Sequence, residues 1–334
     1  MFSLYHLPLF IFISIVTANP TFRLAEVLRG NDFFDSFIWE TFDDPTHGRV
    51  NYVDKDTAKS NNLSYVSPDN SKFIMRADAY NIVAPSARGR DSIRISSRTS
   101  HCQSLMILDV QHMPVGCGTW PAFWTVSKDG PWPNGGEIDI IEGVNMNCDN
   151  LSSLHTTGNC TMPDTRNQKG NTVSSNCDAT INNNQGCGTA FTQSNSYGTA
   201  FNQNSGGYYA MSKDDINGVK VWFWPRTCSS IPPEVLQPPQ FDQICTDNWG
   251  TPDASFPVDQ CGYDAHFGNG HITVFDITFC VSSQFLLEAS NANRHDRATG
   301  QAPLSLRQIV VKVAGLASSS WTTAPMLSPR LIGR

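Results

Sequence analysis

Residues 135–143 have the sequence Gly-Gly-Glu-Ile-Asp-Ile-Ile-Glu-Gly, in which three carboxylates alternate with isoleucines. Successive side chains of a β-strand point to opposite faces, so Glu137 and Asp139 share one face and the intervening isoleucines share the other. Strict alternation would turn Glu142 away from Glu137. One extra residue at Ile140–Ile141, accommodated as a β-bulge, returns Glu142 to the face of the other two acids. The stretch therefore predicts a bulged strand with one apolar face and three acids on the opposite face.

Short apolar runs of the same alternating kind recur along the chain. They include residues 72–76, 91–97, 104–110, 218–224 and 271–278. Many short runs with period two, separated by turns, are typical of an all-β sandwich or barrel. The chain also contains 24 Gly and 20 Pro, which favours turns over long helices. The sequence therefore predicts an all-β fold.

The composition limits the kinds of partner. The chain has 334 residues, 40% of them apolar and 16% charged, which is enough for one large domain or two smaller ones. A formal charge of −7 disfavours nucleic acid and anionic membranes as partners, whereas a neutral polysaccharide meets no such repulsion. No motif indicates an organic cofactor.

The first 18 residues predict a secretory signal peptide. Residues 7–16 form an apolar run, and Val16-Thr17-Ala18 fits a cleavage site between small residues. The alternative is a membrane anchor, but a run of ten residues is well short of the roughly 20 that span a bilayer. We therefore expect a secreted, extracellular protein with no membrane insertion after signal removal.

Ten cysteines agree with that compartment, because an even number in a secreted chain predicts disulfides. No close Cys-x-x-Cys pair occurs, which argues against a zinc site. Residues 156–207, rich in Asn, Gly, Thr and Ser, predict a long surface insertion held by disulfides. Three sequons predict N-glycosylation, at Asn62, Asn150 and Asn159.

The three acids of residues 135–143 suit the hydrolysis of a glycosidic bond. Retention of the anomeric configuration needs two carboxyl groups about 5–5.5 Å apart, one as nucleophile and the other as acid/base. Asp139, between Glu137 and Glu142, could hydrogen-bond Glu137 and separate the pKa values of the pair. The alternatives are a solvated acidic strand or a calcium site, although calcium prefers flexible loop oxygens. We expect no metal among the site residues, while a structural calcium elsewhere stays open.

Three tryptophans lie within 18 residues upstream of the first acid, namely Trp120, Trp124 and Trp132. Aromatic faces stack on the apolar faces of sugar rings, by analogy with other aromatic stacking. Core packing is an equally good reading for Trp120, whereas Trp132 lies between prolines in a loop and is the better candidate for sugar binding.

Several motifs in order resemble the fungal endo-1,3(4)-β-glucanases, laminarinase-like enzymes of glycoside hydrolase family 16, over residues 33–280. They are residues 44–53 (DPTHGRVNYV), 89–94 (GRDSIR), 112–124 (HMPVGCGTWPAFW), the acidic motif continued to Asn145, 154–163 (LHTTGNCTMP) and 249–252 (WGTP). The resemblance implies a β-jelly-roll sandwich of two curved antiparallel sheets with a glucan groove on the concave face. It places the catalytic domain at residues 19–280.

The same resemblance implies roles for single residues. Glu137 is expected to be the nucleophile, Asp139 its helper and Glu142 the acid/base. Trp124 and Trp132 are expected to line sugar subsites, His155 to approach the groove, and Trp249 to close one end of it. A buried structural role is the alternative for His155.

The implied function is retaining endo-hydrolysis of β-1,3 and mixed 1,3/1,4 glucans by a monomer without a cofactor. Two other functions stay open. A cell-wall transglycosylase would use the same covalent intermediate with a sugar acceptor, and a non-catalytic protein would only bind glucan.

The sequence departs from the family pattern at the cysteines and in the C-terminal tail. Cys102 and Cys148 look extra and could pair with each other or stay free. Residues 281–334 contain no cysteine and carry six Lys/Arg against two Asp/Glu, and no closing strand is recognisable there. We hypothesise that this tail is a read-through intron or a shifted reading frame, which sequencing of the transcript tests. A sandwich without that strand would expose an edge.

Overall fold

The computed structural model describes residues 19–280 and 304–314. The predicted signal peptide, residues 1–18, lies outside the described residues, as do 281–303 and 315–334 of the tail. Within the described part of the chain, two large antiparallel sheets pack face to face, as the all-β prediction requires. No helix in this part is long and apolar enough to cross a membrane.

The first sheet has nine strands. In spatial order they are β16 (Gln243–Ile244), β1 (Phe22–Leu28), β19 (Leu304–Ala314), β8 (Ser104–His112), β14 (Gly207–Asp214), β15 (Gly218–Pro225) and β17 (Ala254–Phe256), with β5 (Phe73–Met75) paired to β19 and β4 (Ser64–Val66) paired to β5.

The second sheet has eight strands. In spatial order they are β12 (Asn171–Thr172), β13 (Cys187–Ala190), β11 (Leu151–His155), β10 (Glu137–Glu142), β9 (Thr119–Ser127), β18 (His271–Phe279), β7 (Arg94–His101) and β2 (Phe37–Trp39). A separate parallel pair joins β3 (Val50–Tyr52) to β6 (Arg90–Ser92).

Helices are short and lie in the connections. They are α1 (Asp32–Ser36), α2 (Lys55–Ser60), α3 (Gly198–Gln203), α4 (Pro233–Leu236) and α5 (Tyr263–Phe267), with 3-10 turns at Asn182–Asn184, Pro238–Gln240 and Thr246–Trp249. The five runs that period two predicted as strands all fall on strands, with residues 91–97 divided between β6 and β7, which confirms that part of the sequence analysis.

The main core lies between the sheets and follows from alternation along the strands. In β9 the side chains are alternately buried and half-buried from Thr119 to Ser127, so one face packs inward and the other lines the surface. Phe123 of β9 stacks on Phe275 of β18 with ring centroids 4.6 Å apart. Burial of such rings stabilises the fold by roughly 1.5–3 kcal/mol per side chain. The inward faces anchor the second sheet and leave its opposite face for polar groups.

A second apolar cluster covers the far face of the first sheet. In β15, Val221 and Phe223 belong to the main core, so Trp222 and Trp224 point the other way. Trp249 packs edge-on against both of these indoles, with centroids 5.5 Å apart in each pair. This cluster therefore lies on the side of the sandwich away from the second sheet.

The segment 156–207 is only partly a surface insertion. It contributes β12 and β13 to the second sheet, and it places Phe191, Tyr197 and Phe201 in the main core. Disulfides do hold it, through Cys177–Cys187 and Cys160–Cys261. Cys102 and Cys148 are both free and exposed. A polar composition failed to reveal these core positions because a few large side chains suffice to anchor a segment.

The expectation that the tail lacks a closing strand is wrong. Residues 304–314 form β19, which pairs with β8 on one side and β1 on the other. The strand was missed because its sequence lacks the aromatic ending that the resemblance led us to expect. The origin of the tail stays a prediction for transcript sequencing.

Candidate active site

The three acids of β10 lie on one face because of a bulge. Against β9, Glu137 pairs with Val126, Asp139 with Trp124 and Glu142 with Ala122, and the register shifts between Asp139 and Ile141. These partners are alternate residues of β9 and therefore share a face. Against β11 the partners are again alternate residues, His155, Ser153 and Leu151. The predicted bulge at Ile140–Ile141 is thus confirmed from both neighbouring strands.

The two glycines before β10 fix how the chain enters the strand. Gly135 and Gly136 have φ values of 75° and 81°, a left-handed conformation that glycine adopts without strain. A Cβ atom on Gly136 would lie 2.4 Å from the carbonyl oxygen of His266. Close packing and backbone conformation together therefore require glycine immediately before Glu137.

Glu137 lies between a tryptophan and a second acid. Its Oε2 accepts a hydrogen bond of 2.6 Å from Nε1 of Trp132. Burial, and then the negative charge of Asp139, raise the pKa of Glu137 well above its usual range, while His155 and the Trp132 bond act in the opposite direction. Trp132 itself is 47% exposed, so its ring borders both the acid and solvent.

Glu142, on the far side of the bulge, is also hydrogen-bonded by a tryptophan. Its Oε1 accepts a hydrogen bond of 2.9 Å from Nε1 of Trp120. Burial and the charge of Asp139 raise the pKa of Glu142 to about 8, although the Trp120 bond and His155 lower it. A carboxyl group with such a pKa keeps its proton at neutral pH and can donate it.

Asp139 is buried and connects the acids to a histidine. It accepts hydrogen bonds from Ser153 Oγ at 3.1 Å and lies 3.3 Å from His155 Nε2. The partners of Asp139 are thus Ser153 and His155, rather than Glu137 as the sequence suggested. The other ring nitrogen, His155 Nδ1, lies 2.8 Å from Asn184 Oδ1. Burial lowers the pKa of His155, but the hydrogen bond and charge of Asp139 outweigh it and raise that pKa to about 9.

Glu137, Asp139 and His155 form the one group in the described part of the chain that could hold a metal ion, with ligand atoms within 4.8 Å of one another. A histidine must be neutral to bind a metal. With a pKa of about 9, His155 is protonated at neutral pH and acts as a cation between two acceptors. Metal binding at this group would therefore have to displace the proton of His155.

Trp124 connects the face that carries the three acids to polar residues of the neighbouring strands. Its Nε1 donates a 2.7 Å hydrogen bond to Asp276 Oδ1, and the Arg94 guanidinium lies 4.9 Å from its ring centroid. Asp276 also accepts a hydrogen bond from Tyr52 and is buried. Sequence reasoning missed Asp276 and Asn184. Period two along 271–278 would have put Asp276 on the face opposite Phe275, whereas nothing in the Asn-rich loop singled out Asn184.

Two predicted residues are buried in places that the sequence did not indicate. Trp249 is 5% exposed and packs in the cluster on the far face of the first sheet, so the prediction that it closes the groove is wrong. Asn150 was predicted as a glycosylation site, but it is 0% exposed and its side-chain amide is hydrogen-bonded to the backbone of β10. Asn62 and Asn159 are exposed, and their glycosylation stays a prediction.

The structure brings together the other predicted residues. They are Glu137, Asp139, Glu142, Trp120, Trp124, Trp132 and His155. Their assembly on the solvent-facing side of the second sheet gives a strip of carboxylates bordered by indole rings.

Comparison with known proteins agrees with this geometry. Laminarinase 16A of Phanerochaete chrysosporium, solved with two β-glucans in donor and acceptor sites, is 40% identical with a TM-score of 0.80, covering 87% of this chain and 99% of that one. A family 16 elongating β-1,3-glucosyltransferase is 32% identical with a TM-score of 0.74, covering 87% of this chain and 100% of that one.

A relative from Aspergillus fumigatus named "Probable endo-1,3(4)-beta-glucanase" is 38% identical over 265 residues, which is 78% of this chain and 38% of the relative. The curated relatives are longer, and the matched region spans between 34% and 59% of their lengths. The family described as "XgeA-like, catalytic GH16 domain" matches residues 37–305. The chain therefore belongs to glycoside hydrolase family 16.

Proposed function

We propose that the protein is a retaining endo-β-glucanase that hydrolyses β-1,3 and mixed 1,3/1,4 glucans. The observation that carries this proposal is the register of β10 against both neighbours, which places Glu137, Asp139 and Glu142 on one face. Each glutamate is hydrogen-bonded by an indole N–H. A binding protein needs aromatic rings, but it has no use for two such acids side by side.

In the first step, the ionised carboxylate of Glu137 attacks the anomeric carbon and forms a covalent glycosyl-enzyme. The bond to the leaving oxygen breaks as Glu142 gives that oxygen its proton. In the second step, Glu142 takes a proton from water, whose oxygen attacks the anomeric carbon and releases Glu137. The two roles require different charges at neutral pH. Burial raises the pKa of both glutamates, which suits Glu142 as the acid, and Glu137 must give up its proton before it can attack.

Asp139 and His155 act on the proton affinity of both glutamates. The carboxylate of Asp139 holds back the ionisation of both glutamates, and the imidazolium of His155 partly offsets it. Trp132 favours the ionised form of Glu137 through its hydrogen bond. Trp124 is half-buried and Trp132 is exposed, so both indole rings can stack against sugar units. No organic cofactor enters this mechanism.

Reducing-sugar release from laminarin and from mixed-linkage β-glucan tests the proposal, with the Glu137→Ala variant as control. We expect hydrolysis by the parent and its loss in the variant, and the first product seen by NMR should be the β-anomer. A folded parent that releases no sugar from either substrate would overturn the proposal. The ratio of the two rates gives the linkage preference.

Transglycosylation is the second candidate, because a related family 16 structure is that of a β-1,3-glucosyltransferase. A sugar hydroxyl would then replace water in the second step. Product analysis with and without added laminari-oligosaccharides separates the two activities, since a transglycosylase yields products longer than the donor. We further propose that the protein acts as a secreted monomer that carries glycans at Asn62 and Asn159.

A further inference from the structure

The bulge in β10 removes two backbone groups from the regular hydrogen-bond ladder. Between Asp139 and Glu142 the strand β11 supplies a single residue, Ser152, opposite Ile140 and Ile141. A bulge leaves its extra residue without a ladder partner, and buried backbone groups must then find other partners. Ile140 is 0% exposed, so water cannot serve its carbonyl group.

The side chain of Asn150 takes the place of the missing strand partner. Its Nδ2 donates a 2.8 Å hydrogen bond to the carbonyl oxygen of Ile140, and its Oδ1 accepts a 3.0 Å bond from the backbone N–H of Glu142. Ser152 Oγ donates a second bond of 2.9 Å to the same Ile140 oxygen. One amide therefore holds both sides of the bulge.

Asn150 is itself fixed from the opposite side. Its backbone N–H donates to Ser196 Oγ at 2.9 Å, and its carbonyl oxygen accepts from the N–H of Phe191 at 2.9 Å. The residue is completely buried. Only an amide offers a planar donor and acceptor to such a pair of backbone groups, because aspartate lacks the donor and alanine lacks both.

Asn150 begins the sequon Asn150-Leu151-Ser152, and both polar members of the sequon hold the bulge. A glycan on Nδ2 would take one of its N–H groups and would place a large polar group at a position with no exposed surface. Occupation of this sequon and the observed geometry of Glu142 therefore exclude each other.

We propose that Asn150 is a positioning residue for Glu142, and that the active protein carries no glycan at this sequon. Asn150 touches neither Glu142's carboxyl group nor substrate, and acts through the backbone of Glu142. This inference rests on the proposed role of Glu142 as acid/base.

Leaving-group dependence tests the positioning role. The kcat/KM of a retaining glycosidase reports its first chemical step, in which a poor leaving group needs the acid and a good one does not. We expect Asn150→Ala and Asn150→Asp to lower kcat/KM on laminarin by about 10²-fold, the scale of a 1 Å misplacement. On 2,4-dinitrophenyl β-laminaribioside the loss should stay below about 5-fold.

Two controls keep the outcomes distinct. Glu142→Gln should also keep most of its activity on the good leaving group, with a larger loss on laminarin than the Asn150 variants. A Glu142→Gln variant without this selectivity would contradict the proposed function rather than the role of Asn150. Thr161→Ala removes the sequon of the exposed Asn159 and should match the parent on both substrates. Equal losses on both substrates in the Asn150 variants, or none, would overturn the positioning role.

Glycan mapping of the active parent covers the case in which the Asn150 variants do not fold. The parent is secreted from a host that attaches N-glycans, and enzymatic deglycosylation in H₂¹⁸O marks each occupied asparagine for mass spectrometry. We expect no label at Asn150. A substantial label there in the active fraction would overturn the inference.

Discussion

The molecule holds two groups of three tryptophans on opposite sides of the sandwich, and the two groups use the indole ring differently. One consists of Trp120, Trp124 and Trp132, and the other of Trp222, Trp224 and Trp249. In the first, each indole N–H donates to a carboxylate. In the second, the rings pack against one another, and among the described residues the buried Nε1 of Trp249 has no hydrogen-bond partner.

The difference shows that the groups around a tryptophan decide whether its indole serves as a hydrogen-bond donor at a polar site or as an apolar packing group. In the first group the indole N–H groups donate to carboxylates and favour their ionised form, and the ring faces stay partly exposed to solvent. In the second group the rings cover an apolar part of the sheet face, and Trp222 donates its N–H to the carbonyl oxygen of Gly250 rather than to a carboxylate. We therefore expect changes in the first group to alter activity and changes in the second to alter stability.

Trp249→Ala should give the largest effect, on stability. Removal of a buried Trp costs about 3–5 kcal/mol in the free energy of unfolding. Denaturant unfolding measures the loss, while kcat/KM per folded molecule should stay within about 2-fold because the cluster lies far from the acids. Trp249→Phe, which keeps most of the packing, is the matched control. A stable Trp249→Ala protein with weak laminarin hydrolysis would show that this tryptophan serves the substrate after all.

Asp139→Asn should lower kcat/KM on laminarin by about 10²-fold, since it removes the charge that governs both glutamates. The negative charge of Asp139 raises the pKa of Glu142, so its removal lowers that pKa. Glu142 then loses its proton at lower pH, and the descending limb of the pH–rate profile should move down from about pH 8. His155 also loses its partner, which opposes the shift to a smaller extent.

Ser153→Ala is the control for this charge effect, because it removes one hydrogen bond to Asp139 and keeps the carboxylate. A few-fold loss with an unmoved descending limb is expected. If both variants move the limb equally, the charge of Asp139 is not what sets the proton affinity of Glu142.

Trp132→Phe should lower kcat/KM by about 10-fold, because it removes a hydrogen bond to a charged group worth roughly 1.5–3 kcal/mol and keeps a ring for stacking. That bond lowers the pKa of Glu137, so the ascending limb of the pH–rate profile should move to higher pH. Trp132→Ala should in addition raise KM, because the stacking of the ring on the sugar is lost. Unfolding of both should match the parent within about 1 kcal/mol, since the side chain is 47% exposed.

Asn184→Ala should have the smallest effect, a loss of about 3-fold to 10-fold in kcat/KM, in line with one neutral hydrogen bond. The hydrogen bond that His155 donates to Asn184 Oδ1 raises the pKa of His155, so the variant histidine should lose its proton at lower pH. NMR titration of the imidazole measures that change directly. An unchanged titration would mean that Asp139 alone holds the charge on His155.

Much of the fold and of the acid cluster could be predicted from the sequence, because period two reports which side chains share a face. The bulge followed from counting residues between Glu137 and Glu142. Trp249 was misplaced because a motif does not tell which face of which sheet a side chain covers. The burial of Asn150 was not foreseen, because a sequon is a local pattern that carries no information on burial.

Long-range partners were beyond local patterns. The hydrogen bond between His155 and Asn184 joins positions 29 residues apart, and that between Trp124 and Asp276 joins positions 152 apart. Only the fold brings such pairs together.

The position of β19 has a consequence for the order in which the chain can assemble on the ribosome. The second sheet, with all three acids, draws every strand from residues made before position 280. The first sheet cannot join β1 to β8 until residues 304–314 emerge, which at about 5–20 residues per second is roughly 15–60 s after β1. Each of the two strands, once made, presents an open edge until β19 arrives, so a nascent chain would need a chaperone to cover the first sheet rather than the sheet that carries the acids.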